Sequence, residues 1–196
     1  VMTYNRGEHG GHSLQPFKEL AQPDILVLQE APKRAQRYLK APDYSEFAHG
    51  ASAGEHTILS RYPMSPPTRI NSHVGGKAIT VAARTEITLP DRVVTLYSVH
   101  FQTPRDTLRY YLRGACLYGI IGLPPFSPFH DSYDHNQQFW DKRIARAEEL
   151  AALIAAEPNP TIVVGDFNAP AGGYVHRVFK STLVDAHDAK GGGFGY

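Results

Sequence analysis

The run Ile25-Leu26-Val27-Leu28, opened by Asp24 and closed by Gln29 and Glu30, constrains this chain more than any other feature. A strand with one solvated face alternates apolar and polar residues with a period of two. This run does not alternate, so both of its faces must be covered. Thr161–Val164, just before Gly165-Asp166, is a second run of the same kind. Two architectures supply such double cover, a doubly wound parallel sheet and a pair of packed sheets. Ala78–Leu89 and Arg92–His100 read as a hairpin around Pro90-Asp91. Doubly wound sheets are built from crossovers, so the hairpin favours a four-layer α/β sandwich, two packed mixed β-sheets flanked by helices.

Shorter strands are expected at Val1–Tyr4, ending in Asn5, and at Thr57–Ser60. The spacing of Leu14, Phe17 and Leu20 predicts a helix over Leu14–Gln22, with those three residues on its buried face and Ser13 at its N-cap. Lys33–Leu39 and Val178–Leu183 read as short helices. The clearest helix is Phe139–Ala156, whose apolar face is Ile144, Ala147, Leu150, Ala151 and Ile154. A length of 196 residues suits one domain, residues 1–196, with enough chain to bury a core. No apolar run approaches the ~20 residues that span a bilayer. The longest, Cys116 to Phe129, is broken by Gly119, Gly122, Pro124 and Pro125. One cysteine excludes an internal disulfide, and the cytoplasm and an exported location both stay open. A net charge of +1 argues against a dedicated non-specific nucleic-acid binder but leaves room for an enzyme acting on phosphate esters.

Four strands share one habit: each delivers a polar residue at its C-terminal end. Asn5 follows Met2-Thr3-Tyr4, Glu30 follows Ile25–Gln29, His100 follows Val93–Val99, and Asp166 and Asn168 follow Thr161–Val164. Strand ends are rigid enough to hold a reacting group in place. Taken singly, each of these residues has an ordinary reading as a cap, a turn residue or a structural histidine. Together they make a set for handling a hard metal and a phosphate, since Mg²⁺ prefers oxygen ligands and keeps several waters.

The strings that carry these residues resemble the endonuclease/exonuclease/phosphatase (DNase I-like) family. Met2-Thr3-Tyr4-Asn5 is similar to its opening motif, Asp24–Glu30 to its metal-binding motif and Thr57–Pro63 to its ILSRYP strand. Ser98–Phe101 resembles its strand ending in histidine, and Val163–Pro170 its GDFN signature. Asp185 and Gly193–Tyr196 resemble the stretch before its late strands. The resemblance implies hydrolysis of a phosphoester, of phosphodiesterase or nuclease type, by in-line attack of an activated water. It implies Glu30 as ligand of Mg²⁺ or Mn²⁺, with Asn5 beside the metal and helping to hold the phosphate. It implies Asp166 as the group that orients or deprotonates water, Asn168 as a phosphate donor and His100 as a contact to the scissile phosphate. Family members continue past such an end with an Arg-Ile-Asp-Tyr-type strand and an Asp-His motif. The expectation is therefore a domain trimmed at the N-terminus and incomplete at the C-terminus, lacking its last strands. The isolated fragment is then expected to be short of one catalytic histidine.

A catalytically inactive binding or scaffold module of the same fold is the alternative function. His100–Arg105 is closer to bacterial members than to DNA-repair nucleases. His56 and Arg105 are further candidates for substrate binding. His9, His12, His130, His135 and His176 match no structural zinc spacing. Tyr110, Tyr111 and Tyr118 with Phe126, Phe129, Phe139 and Trp140 make an aromatic segment that reads as a lid or insertion packing on the sandwich. The partners expected are a phosphoester substrate, nucleic acid among the candidates, and the absent C-terminal segment, whether continuous or a separate chain. The protein itself is expected to be a monomer.

Overall fold

The computed structural model describes residues 1–7, 13–104 and 128–191. They fall into two compact units. The first comprises Val1–His73, Ala78–Phe101 and Leu153–Phe167; the second comprises Val74–Lys77, Gln102–Ala152 and Asn168–Tyr196. Arg105, the aromatic residues from Tyr110 to Phe126, His9, His12 and Gly193–Tyr196 lie outside the described residues, as do the side chains of Phe129 and His130.

The first unit holds two four-stranded mixed sheets, as the double-sided runs require. One sheet has the order β1 (Met2–Asn5), β2 (Ile25–Gln29), β4 (His56–Ser60), β3 (His49–Ala53). The other has the order β5 (Thr68–Ser72), β6 (Ile79–Thr88), β7 (Val93–His100), β8 (Thr161–Asp166). β1 and β2 run parallel, joined through helix α1 (Gln15–Ala21), and β7 and β8 are also parallel. β6 and β7 form the antiparallel hairpin that the doubly wound alternative lacks.

All five residues of β2 are buried, and alternate ones face different cores. Leu26 and Leu28 join Leu14, Ala35, Tyr38, Tyr44 and Phe47 in a core supplied by α1, α2 (Ala35–Leu39) and a 3-10 turn at Pro42–Tyr44. Ile25 and Val27 pack with Ile58, Ile87 and Leu96, and with Ile162 and Val164 at its margin, between the two sheets. Burying each such side chain stabilises the fold by roughly 1.5–3 kcal/mol.

Helix α1 corrects one expectation. Leu14 is buried, but Phe17 and Leu20 are exposed, at 58% and 88%. The buried partner on this short helix is Lys18, whose ammonium pairs with Glu46 and donates to the Asp43 carbonyl. Leu14 and Lys18 are four residues apart and share a face, so the helix is oriented by an ion pair that apolar spacing does not reveal. Leu14 takes the N-cap position, and Ser13 Oγ instead accepts from Gln15 N at 3.2 Å.

The second unit carries most of α3 (Pro128–Ala155), together with α4 (Tyr174–Lys180) and α5 (Ala186–Lys190). α3 starts well before the expected Phe139, because its first turns are largely polar and show no apolar stripe. Ala147, Leu150, Ala151 and Ile154 are buried as expected, whereas Ile144 is half-buried.

Candidate active site

The parallel pairs β1/β2 and β7/β8 end in register, Asn5 opposite Gln29 and His100 opposite Asp166. This brings Asn5, Glu30, His100 and Asp166 together within the first unit. Asn5 is the link between the sheets: its Nδ2 donates to Glu30 Oε1 and to Asp166 Oδ2, each at 2.9 Å. Its Oδ1 accepts from Gly7 N, also at 2.9 Å. A backbone N–H can only donate, so this bond fixes the amide's orientation and turns its two donors towards the carboxylates.

Two backbone features support the arrangement. Glu30 has φ +50°, in the left-handed region that a branched or long side chain occupies only when its surroundings enforce it. Here Arg6 N donates to Gln29 O at 3.0 Å and Ala31 N to Glu55 O at 2.8 Å, gripping the chain on either side. Gly165 has φ +139°, and a Cβ there would lie 2.0 Å from the Val99 carbonyl oxygen. Only glycine permits β8 to approach β7 closely enough to bring Asp166 level with His100.

The structure adds a residue that sequence reasoning missed, Glu55. β3 and β4 form a hairpin whose last pair is Ala53 with His56, leaving Gly54 and Glu55 as a two-residue loop. Gly54 has φ +61° and Glu55 does not have positive φ, the pattern of a turn with glycine at its first central position. Glu55 Oε1 lies 2.9 Å from His100 Nδ1. That bond holds the Glu55 carboxyl below its ordinary pKa and raises that of His100, with burial opposing both shifts. Charges on Glu55, Asp166 and Glu30 raise His100 further. The far ring nitrogen, Nε2, is 3.6 Å from Glu30 Oε1. The Gly-X turn between two strands was the available signal for Glu55. It was obscured because His49-Gly50-Ala51-Ser52-Ala53 has no β-branched residue and does not read as a strand.

His56, expected to meet substrate, is fully buried and therefore sits behind the site rather than on its surface. Burial pushes its pKa down to about 4, so the ring is neutral at pH 7. Asn168, φ +45°, belongs to the second unit, where its backbone carbonyl accepts from Arg143 Nη2 at 2.6 Å. The same guanidinium donates to the Gln102 carbonyl.

Among the described residues, one trio of metal-binding type has its ligand atoms close together: His176, Asp185 and Asp188, in the second unit. Its groups are already engaged. His176 Nε2 is 2.6 Å from Asp185 Oδ2, and its Nδ1 accepts from Gly172 N at 3.1 Å. Asp185 Oδ1 accepts from His187 N and Asp188 N, and Lys180 pairs with Asp188 at 2.5 Å. This is a satisfied helix cap, lining a surface hollow of about 440 Å³.

Two mixed sheets with a polar constellation at the ends of their parallel strands define an α/β fold of DNase I-like type. Residues 12–196 match the model of the Endonuclease/Exonuclease/phosphatase family, and the chain belongs to that family. Hydrolysis and use of a divalent metal are general properties of that family. Similar solved structures include D. rerio TDP2 humanized by 14 mutations, with 15% identity, TM-score 0.55, and coverage of 90% of this chain and 65% of that one. D. rerio TDP2 complexed with a single-strand DNA product gives 15%, 0.53, 90% and 63%. Sphingomyelinase C from Streptomyces griseocarneus gives 17%, 0.52, 92% and 68%. The chain thus spans slightly less than two thirds of the two TDP2 structures. No curated protein matched the sequence.

Proposed function

We propose that this domain carries the site of a divalent-metal-dependent phosphoester hydrolase that works by in-line attack of water. The observation that carries the reading is the single Asn5 amide holding Glu30 and Asp166 side by side, with His100 turned towards them by Glu55. The donor set fits Mg²⁺ or Mn²⁺: hard carboxylate oxygens, few in number, on rigid strand ends. Glu30 would hold the ion, while the Asn5 NH₂ keeps the Glu30 and Asp166 carboxylates side by side. When bound, the metal would polarise a phosphoryl oxygen and offset its growing negative charge. Asp166 accepts a proton from the attacking water or orients it. His100, its Nδ1–H held by Glu55, presents Nε2 to the phosphate, and its raised pKa favours the charged form that donates there. Asn168 is the further phosphate donor of this proposal. Arg105 would bind the phosphate of the substrate.

The test is a substrate panel with Mg²⁺ that includes single- and double-stranded DNA, RNA, inositol phosphates and sphingomyelin. Glu30→Gln and Asp166→Asn are each expected to cost about 10²–10³ in kcat, the effect of removing one preorganised group from a reaction site. Undiminished hydrolysis in both variants overturns the reading.

A further inference from the structure

Behind the candidate site, the layer between the sheets contains a buried polar chain that the proposed reaction does not touch. Gln29, on β2, is 1% exposed; His56, on β4, and Ser98, on β7, are both 0% exposed. Gln29 Nε2 donates to Thr3 Oγ1 and to Ser98 Oγ, each at 3.1 Å. Ser98 Oγ is 2.8 Å from His56 Nδ1. The other ring nitrogen, His56 Nε2, is buried and has no hydrogen-bond partner among the described residues. It lies 3.9 Å from Glu55 Oε1, the same oxygen that meets His100 Nδ1.

The Gln29 amide, whose Oε1 also accepts from Thr3 Oγ1 at 3.3 Å, sets the direction of these bonds. Gln29 Nε2 can only donate, so it gives a hydrogen to Ser98. The Ser98 hydroxyl still has its own hydrogen to place. Of its two partners, only the imidazole Nδ1 can accept it. The neutral His56 ring must then carry its proton on Nε2, the atom facing Glu55. The opposite tautomer would turn a bare lone pair towards a carboxylate and leave the serine hydrogen without an acceptor. A fully buried N–H with no acceptor is rare and costly, and a small shift of the Gly54-Glu55 turn would bring the acceptor within hydrogen-bond range.

We propose that His56 is a positioning residue whose Nε2–H is a second donor to Glu55, holding that carboxylate, and through it the ring of His100, in the reacting orientation. The catalytic consequence rests on the hydrolytic reading of the site; the geometry of the three residues does not. An outer partner that orients a reacting or ligating group commonly contributes about 10–100-fold to activity. Thr3, Gln29 and Ser98 then have a shared task. They fix the tautomer of a histidine that never meets substrate.

The direct test is long-range ¹H–¹⁵N correlation of the histidine rings in the full chain at pH 7. The expected result is the Nε2–H tautomer for His56 and a downfield, hydrogen-bonded Nδ1–H for His100. In His56→Phe, which keeps a ring but removes the donor, the His100 signal is expected to move upfield or be lost to solvent exchange. His56→Gln, whose amide can donate from a similar position, is expected to restore it. On a hydrolysed substrate, His56→Phe is expected to lower kcat about 10–100-fold with KM unchanged. An Nδ1–H tautomer for His56 in the unaltered protein overturns the proposal, and so does an unchanged His100 signal in folded His56→Phe. Should His56→Phe fail to fold, Ser98→Ala takes its place: removing the hydroxyl that sets the tautomer must disturb the His100 signal, and no disturbance overturns the assignment. Absence of hydrolysis with every phosphoester counts against the reaction, and the ring signals still decide this inference.

Discussion

The space between the two sheets has two halves built on the same strands. Towards one end, Ile25, Val27, Ile58, Ile87 and Leu96 form a dry apolar layer. Two residues further along β2, β4 and β7, the same inward-facing positions become Gln29, His56 and Ser98, all buried and joined by hydrogen bonds. One step beyond lie Asn5, Glu30, Glu55, His100 and Asp166. The first half supplies stability by removing apolar surface from water. The second half gives some of that up, because buried polar groups return little net energy even when fully paired. What it gains is orientation at strand ends. The contrast separates substitutions that should unfold the protein from those that should disarm it.

The largest stability effect is expected at the join between β7 and β8. Gly165→Ala forces a side chain into the Val99 carbonyl at a φ of +139°. Backbone strain of about 1–3 kcal/mol and overpacking of about 1–3 kcal/mol should combine, and urea denaturation should show a much earlier midpoint. In the apolar half, Leu96→Ala should lower the unfolding free energy by about 2–5 kcal/mol. In the polar half, Glu30→Gln should leave the urea midpoint nearly unchanged while lowering the proposed hydrolysis about 10²–10³-fold. A midpoint as low in Glu30→Gln as in Leu96→Ala would break the distinction.

The acid side offers an intermediate effect. On the outer face of β7, Glu157 accepts from Arg84 Nε at 2.6 Å and from Tyr97 Oη at 2.6 Å. The Arg84 bond, with help from Tyr97 and Thr95, lowers the Glu157 pKa from 4.5 to about 2 against the opposing effect of burial. A depressed carboxylate pKa means the unfolded chain binds the proton first. This contribution is therefore fully present above pH 4.5 and is lost as pH falls towards 2. His56 acts in the same direction over a higher window, because its folded pKa of about 4 lies below its ordinary 6.5. The neutral buried ring favours the fold above pH 6.5, and that contribution is lost as pH falls towards 4. The melting temperature should decline in two stages below neutrality, and Glu157→Gln should remove the lower one. The smallest effect is expected on α1, where Phe17→Ser and Leu20→Ser should shift stability by less than about 0.5 kcal/mol, since both side chains are exposed.

Much of this design is legible in the sequence for a physical reason. β2, β4, β6, β7 and β8 are aliphatic or β-branched runs, and the residues that follow them fall into place once the register is set. The strands that escaped are held by pairing rather than by propensity. After His49, β3 is made of small residues, and Gly50 is among them because a Cβ there would lie 2.6 Å from Leu59 Cδ2. β5 is polar and largely exposed, and among the described residues it pairs with β6 alone. Glu55 escaped because a turn residue has no period to betray it. The inward face of α1 escaped because a lysine buried by an ion pair looks, in sequence, like a solvated one.

The strand-end cluster, and not the His176–Asp185–Asp188 trio, is the proposed divalent-ion site. Mn²⁺ titration followed by electron paramagnetic resonance tests it without reference to substrate. One site is expected in the unaltered chain, lost or strongly weakened in Glu30→Gln and retained in His176→Ala. Mn²⁺ binding that survives Glu30→Gln and disappears in His176→Ala would contradict it.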